Sequence, residues 1–174
     1  ALLGAIEDIK RVLIGRDPRQ VELICHELYR DSYWRVGPVL QSAISAVNMA
    51  MWGIKAKACN VPVYEMLGGK VRDSIRMYAN VWFSGAKTPD EFAAAAVAAK
   101  EKGVTALKWD PFGKAYMYMD NKDLSYSLSI VEAVRGAVGN DMDLLIEGHG
   151  RFNIATGIKI ANELKQFDPM FFEE

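Results

Sequence analysis

The sequence predicts an α/β fold built from parallel strand–helix–strand units, with a helical block in front of them. Three features carry that reading. Beyond Asp73, short apolar runs recur roughly every 27 to 38 residues with helical stretches between them, the rhythm of parallel βαβ units. The helices are sharply punctuated, as at Thr88-Pro89-Asp90-Glu91 and at Gly103 and Gly139. Two runs also end on carboxylates: Leu144-Leu145-Ile146 leads into Glu147, and Met170-Phe171-Phe172 leads into Glu173. In parallel α/β folds the ligand sits at those C-terminal strand ends.

The block before Asp73 reads as helical and contains no predicted strand. Asp17-Pro18 starts a helix through Val21, Ile24, Leu28 and Tyr29, whose spacing keeps one face apolar. Residues 34–38 form a turn with Gly37 and Pro38. A second helix covers residues 39–59, with Ala43, Val47, Ala50, Met51, Ile54 and Ala58 in period. Its small residues, Ser42, Ala43, Ser45, Ala46 and Ala50, imply close packing. A short helix in residues 62–69 stops at Gly68 and Gly69.

From there the elements alternate. Residues 75–82 read as the first strand. Thr88 caps the next helix, with Pro89 in its first turn and Glu91 completing a capping box. Residues 105–110 form the second strand and residues 124–138 a helix stopped by Gly139. Residues 143–148 are the third strand, 153–166 a helix, and 170–173 the fourth strand. Parallel crossovers wind in one hand. A closed barrel of such units has eight strands and about 250 residues. Four strands leave a parallel edge open, so the 174 residues read as a fragment of a larger polypeptide.

Composition narrows the class. The chain is 51% hydrophobic and 25% charged, ordinary for a soluble protein of one domain or pieces of two. A net charge of −1 gives no reason to expect nucleic acid or an acidic membrane as partner. No apolar run reaches membrane-spanning length, and the opening residues show no signal-peptide pattern. Cys25 and Cys59 are expected as buried thiols in a reducing cytoplasm.

The two terminal carboxylates define a candidate site. Alternation along a strand turns Glu147 and His149 to the same face. Neighbouring strands stand about 5 Å apart, so Glu147 and Glu173 suit one hard cation such as Mg²⁺, which favours oxygen ligands. His149 stands beside it as a proton donor or acceptor.

Six stretches in fixed order add a resemblance. They are Tyr33-Trp34-Arg35-Val36-Gly37-Pro38, then the segment 45–57 from Ser45 through Trp52 and Gly53 to Lys57. Next come Pro62-Val63-Tyr64-Glu65-Met66-Leu67-Gly68-Gly69 and Ala106-Leu107-Lys108-Trp109-Asp110-Pro111-Phe112. Glu147-Gly148-His149-Gly150-Arg151-Phe152 and Phe172-Glu173-Glu174 complete the order. The arrangement resembles the mandelate racemase-like branch of the enolase superfamily, most of all its galactonate- and gluconate-type sugar-acid dehydratases.

That resemblance implies an α+β capping domain followed by a modified (β/α)₈ barrel. Residues 1–73 would be the later, helical part of the cap, and residues 74–174 the first four barrel strands. It implies Mg²⁺ held by acidic residues on three successive strands, of which Glu147 and Glu173 match the first two. His149 matches the histidine that acts as general acid. The third ligand and the basic histidine have no counterpart in this sequence. Where racemases of the branch carry Lys-X-Lys, this chain has Lys108-Trp109-Asp110, which replaces the racemases' base by a carboxylate. Asn48, Gly53 and Ala56 also depart from the usual pattern, on the helical segment.

The implied reaction removes the proton next to a carboxylate and expels the 3-hydroxyl, giving a 2-keto-3-deoxy sugar acid. Lys108 is the second candidate catalytic group, either facing substrate or pairing with Asp110 or Glu147. Asp110, Arg151 and Trp34 are the candidate substrate-binding residues; for Asp110 a structural role is equally open, and aromatics such as Trp34 and Trp82 pack more often than they bind. The expected partner is a sugar acid, the expected assembly a homo-oligomer in the cytoplasm. A racemase or epimerase, or a non-catalytic sugar-acid-binding relative, is the alternative.

Overall fold

Three of the four predicted apolar runs join in one parallel sheet in the computed structural model, which describes residues 1–35 and 37–174. They are β1 (Ala106–Trp109), β2 (Asp143–Glu147) and β3 (Phe171–Glu173), in spatial order β1-β2-β3. Leu107 lies opposite Leu144, Trp109 opposite Ile146, and Glu147 opposite Glu173. Every residue of β1 is buried, and all of β2 beyond Asp143. A parallel strand covered on both sides reads as a continuous apolar run, as these two do.

The fourth predicted strand, residues 75–82, is corrected. It makes only one parallel bridge, Ala79 to Leu107. Ala79 donates to the Ala106 carbonyl at 2.8 Å and accepts from the Lys108 amide at 2.9 Å. The ladder then stops because Val81 takes a left-handed φ of 58° and its amide turns to the Asn80 side chain at 2.8 Å. A β-branched residue there is incompatible with extended pairing.

Two compact units divide the chain, Ala1–Ser74 and Ile75–Glu174. In the second, α5 (Pro89–Glu101) starts with the full capping box between Thr88 and Glu91. Helix α6 (Asn121–Val138) begins ahead of the predicted residue 124, because the Asp120 carboxylate caps it by accepting from the Asp123 amide at 2.8 Å. Gly139, at φ 75°, ends it. Helix α7 (Ile154–Leu164) is capped by Asn153 and runs into a single 3₁₀ turn, Lys165–Phe167. The core joins Phe92, Ala96 and Ala99 of α5 with Ile130, Val131 and Val134 of α6, over Leu107, Leu144 and Ile146 of the sheet. At the N-terminal end of β2, the Arg135 guanidinium donates to the carbonyls of Phe167, Gly139, Met142 and Asp168. That ties the turn after α7 to the segment that leads into β2.

The first unit consists of α1 (Leu2–Leu13), α2 (Val21–Asp31), α3 (Pro38–Ala58) and α4 (Val63–Met66). Ile9, Val21, Ile24, Leu28, Ala43, Ile44 and Met51 form its core. Helix α2 starts later than Asp17-Pro18 predicts: the Asp17 carboxylate binds the Arg19 amide and guanidinium, and Gln20 donates back to the Asp17 carbonyl. A side chain that satisfies its own turn holds the chain outside the helix. The predicted stop at Gly68 and Gly69 is present, with both at positive φ and the Gly69 amide on the Tyr64 carbonyl at 2.9 Å. Cys59 corrects the expectation of two buried thiols: it is exposed at the cap of α3, past the buried stripe, while Cys25 is half-buried. Val36, in the turn predicted at residues 34–38, lies outside the described residues. Among the described residues, no helix is long and apolar enough to cross a membrane.

Candidate active site

Two polar clusters form where β1, β2 and β3 end. Lys108 and Asp110, two residues apart at the end of β1, supply one group to each. In the first, the Lys108 Nζ bridges Glu147 Oε2 at 2.5 Å and Glu173 Oε2 at 2.6 Å. The in-register pairing of Glu147 with Glu173 brings the carboxylates together. Lys108 and Glu147 side chains are each only 11% exposed, whereas Glu173 is 56% exposed.

The electrostatics follow from this geometry. Hydrogen bonds to Glu147 and then Glu173 hold Lys108 above the ordinary lysine value despite its burial. Burial pushes the Glu147 carboxyl up, but hydrogen bonds from Lys108 and from the His149 amide outweigh it and leave it below its ordinary value. Each shift favours the charged form of its group, so the contact is an ion pair.

A stability consequence arises here. Lys108→Met leaves Glu147 buried without its ammonium, and is expected to lower unfolding free energy by about 3 kcal/mol at neutral pH. Glu147, with its lowered value, contributes stability above the ordinary 4.5 and loses it as pH falls through the folded value. Lys108, with its raised value, contributes below the ordinary 10.5 and loses it as pH rises past its folded value. Urea unfolding of both proteins across pH should show the full gap between those limits and a narrowing gap in acid. A gap below about 1 kcal/mol at neutral pH would mean the pair is screened like a surface one.

The second cluster is built around Asp110. Its Oδ2 faces His149 Nδ1 at 2.9 Å, and its Oδ1 accepts from Arg151 Nη2 and from the Phe112 amide, both at 2.8 Å. The Arg151 guanidinium also lies 5.3 Å from the Phe152 ring centre, while its Nε is buried with no hydrogen-bond partner among the described residues. The His149 ring is 62% exposed. Its backbone amide donates to Glu147 Oε1 at 2.7 Å, which joins the two clusters.

Strand alternation does not explain that convergence. β2 ends at Glu147, and His149 sits at a left-handed φ of 63°. A turn, not a pleat, carries the imidazole back over the strand end. Such a conformation in a residue other than glycine recurs at functional sites.

Several contributors were not legible as site residues in the sequence. The Gly148 amide donates to the Glu173 carbonyl at 2.7 Å, and a Cβ on Gly148 would stand 3.1 Å from that oxygen and collide with the Glu174 carboxylate. The close approach of β3 thus favours glycine there, since any side chain would displace the Glu174 carboxylate and crowd the β3 backbone. Met117 donates to the Arg151 carbonyl at 2.8 Å and accepts from the Asn153 amide at 2.7 Å, pinning the loop after β1 onto the loop after β2. Trp82 Nε1 donates to the Lys108 carbonyl at 3.1 Å and packs edge-on to Trp109. The sequence offered a signal for Gly148, in the Gly-X-Gly around His149, and for Trp82 as an aromatic expected to pack, but none for Met117. Trp34 belongs to the first unit, where it is 76% exposed and edge-on to Tyr33.

The donor set matches a hard cation in kind. Two carboxylates already converge on one positive charge, that of Lys108, and every converging donor is oxygen. Among the described residues, no group of three His, Cys, Asp or Glu side chains is placed to hold a metal.

Comparison with known proteins sets this site in a family. Residues 2–68 match the mandelate racemase/muconate lactonizing enzyme N-terminal domain, and residues 91–174 the enolase C-terminal domain-like family. A D-gluconate dehydratase of Thermoproteus tenax is 39% identical over 99% of this chain and 35% of its own length. A D-gluconate/D-galactonate dehydratase of Picrophilus torridus is 35% identical over 98% of this chain and 44% of its own. The crystal structure of an enolase-superfamily member from Salmonella Typhimurium superposes with a TM-score of 0.89 at 29% identity, covering 98% of this chain and 49% of the other. A mandelate racemase/muconate lactonizing enzyme from Jannaschia sp. gives 0.85 at 32% identity, covering 97% and 47%. The chain thus spans less than half the length of these relatives. With both domain families matched in order along it, the chain belongs to the mandelate racemase/muconate lactonizing enzyme branch of the enolase superfamily.

Proposed function

We propose that the protein is a Mg²⁺-dependent dehydratase of a sugar acid, an aldonate, yielding the 2-keto-3-deoxy acid. The observation that carries this is the in-register convergence of Glu147 and Glu173 on one positive charge, the Lys108 ammonium, with His149 beside them. Relatives bearing the names D-gluconate and D-galactonate dehydratase support the substrate class. In this reading β1 to β3 belong to a (β/α)₈ barrel and residues 1–73 to the helical part of its capping domain. The working form is a cytoplasmic homo-oligomer.

Each residue then has a task. Glu147 and Glu173 would hold Mg²⁺. Bound there, the ion supplies positive charge where negative charge develops on the substrate carboxylate. Lys108, kept protonated by both carboxylates, adds a fixed positive charge beside them. His149 delivers a proton to the departing 3-hydroxyl, which leaves as water with the C–O bonding pair. Arg151 contacts the substrate, and Asp110 lies at the edge of the same site.

Racemization or epimerization is the weaker reading, because Asp110 stands where racemases of the branch carry the second, basic lysine of Lys-X-Lys. The deciding experiment incubates the full-length protein, which in this reading carries the basic histidine and third ligand that these 174 residues lack, with Mg²⁺ and a library of sugar acids and measures 2-keto-3-deoxy products by a colour reaction. Product from at least one aldonate, lost on chelation, is expected. Binding without product across the library would favour a non-catalytic sugar-acid-binding relative instead, and inversion without dehydration would favour the racemase.

A further inference from the structure

Asp110 touches three donors and leaves neither carboxylate oxygen unengaged. Oδ1 accepts from Arg151 Nη2 and from the Phe112 amide, both at 2.8 Å, and only Oδ2 faces the imidazole, at 2.9 Å from Nδ1. The two partners of Oδ1 fix the plane of the carboxylate. One of them is on the chain two residues on, and the other is a guanidinium whose own side chain is 18% exposed. The loop bearing Arg151 is in turn pinned by Met117, so the arrangement is stiff on both sides.

From this geometry we infer that Asp110 is a positioning residue for His149, setting its ring plane and its tautomer. A carboxylate oxygen flanked by a guanidinium only accepts, so Nδ1 carries the proton that points at Asp110. Nε2 makes no hydrogen bond among the described residues, and the side chain is 62% exposed. When both nitrogens carry protons, the ring holds one N–H against Asp110 and keeps the other, Nε2–H, free of any partner among the described residues. When the Nε2 proton leaves with a departing hydroxyl, the ring is left as the neutral Nδ1–H form that Asp110 already holds. No rotation or second proton movement is needed, which is what preorganisation of an acid requires. The left-handed backbone at His149 is the local strain that this placement demands. The kinetic part of this inference rests on the dehydratase reading; the tautomer part does not.

The isosteric change Asp110→Asn makes a sharp test. Oδ1 must still accept from Arg151 and Phe112, so the new amide nitrogen falls where Oδ2 stood. There it donates to Nδ1, which inverts the tautomer to Nε2–H. Nitrogen-15 spectra of the imidazole would be recorded across pH, and the tautomers compared on the alkaline plateau where the spectra no longer change. With His149→Asn as the assignment control, wild type is expected to show Nδ1 protonated and Nε2 bare, and Asp110→Asn the reverse. In parallel, dehydration should lose about 100-fold or more in kcat with KM little changed.

A wild-type His149 with bare Nδ1, or identical tautomers in both proteins, overturns the inference whatever the turnover. Inverted tautomers with undiminished kcat would overturn the catalytic purpose of the positioning and, with it, the acid role of His149. Absence of dehydration in wild type would remove the reading of function while the nitrogen spectra still decide the role of Asp110.

Discussion

In the full-length enzyme, Glu147→Gln is expected to abolish Mg²⁺-dependent dehydration, by about 10³-fold or more, with the fold retained. The amide keeps the shape of the side chain, and its oxygen can still accept from the His149 amide, which stands 2.7 Å from Oε1. What it loses is the charge. The other end of the amide then faces Lys108 as a donor, where a carboxylate oxygen stood at 2.5 Å. A hard divalent ion would lose one of its two anionic ligands from this chain and meet an ammonium that only Glu173 still balances. Glu173→Gln should act in the same direction but disturb stability less, because Glu173 is far more exposed than Glu147. Rates titrated against Mg²⁺, with calorimetric binding of the metal alone, separate loss of the ion from loss of chemistry. Normal turnover in either variant would remove that residue from the ligand set.

His149→Asn should lower dehydration by about 10² to 10⁴-fold, the range for loss of a positioned general acid. Asparagine tolerates the left-handed backbone that His149 adopts, so the turn over Glu147 should survive. The variant isolates one step. Exchange of the substrate α-hydrogen with deuterated solvent, followed by NMR, is expected to persist, because removal of that hydrogen does not use this residue. Loss of exchange and dehydration together would assign His149 a shared or purely positional role. Unchanged dehydration would reject the acid assignment.

Much of this architecture was legible because single residues had strong local consequences. Thr88, Pro89 and Glu91 make one helix start almost regardless of context, and the observed capping box uses all three. Gly139 and the pair Gly68 and Gly69 stop helices because they alone accept positive φ without strain. The buried strands were visible because parallel strands covered on both faces must be apolar throughout. Residues 75–82 carry the same apolar signal yet make a single bridge, because strand pairing is decided by neighbours and by the turn at Asn80 and Val81.

The sequence by itself determined which chemical groups reach the ends of the strands. Glu147, Glu173 and Lys108 lie at the end of apolar runs, and the parallel register follows from the βαβ rhythm, so their meeting was foreseeable. Which groups pair was decided by the tertiary structure alone. Lys108 was open to Asp110 or Glu147, and the fold gives it to Glu147 and Glu173, leaving Asp110 to His149 and Arg151. The reason is that pleat alternation fixes only the face of the sheet. The partner on that face is chosen by backbone turns such as the left-handed one at His149 and the glycine-tight approach at Gly148, and neither has a period that a sequence can display.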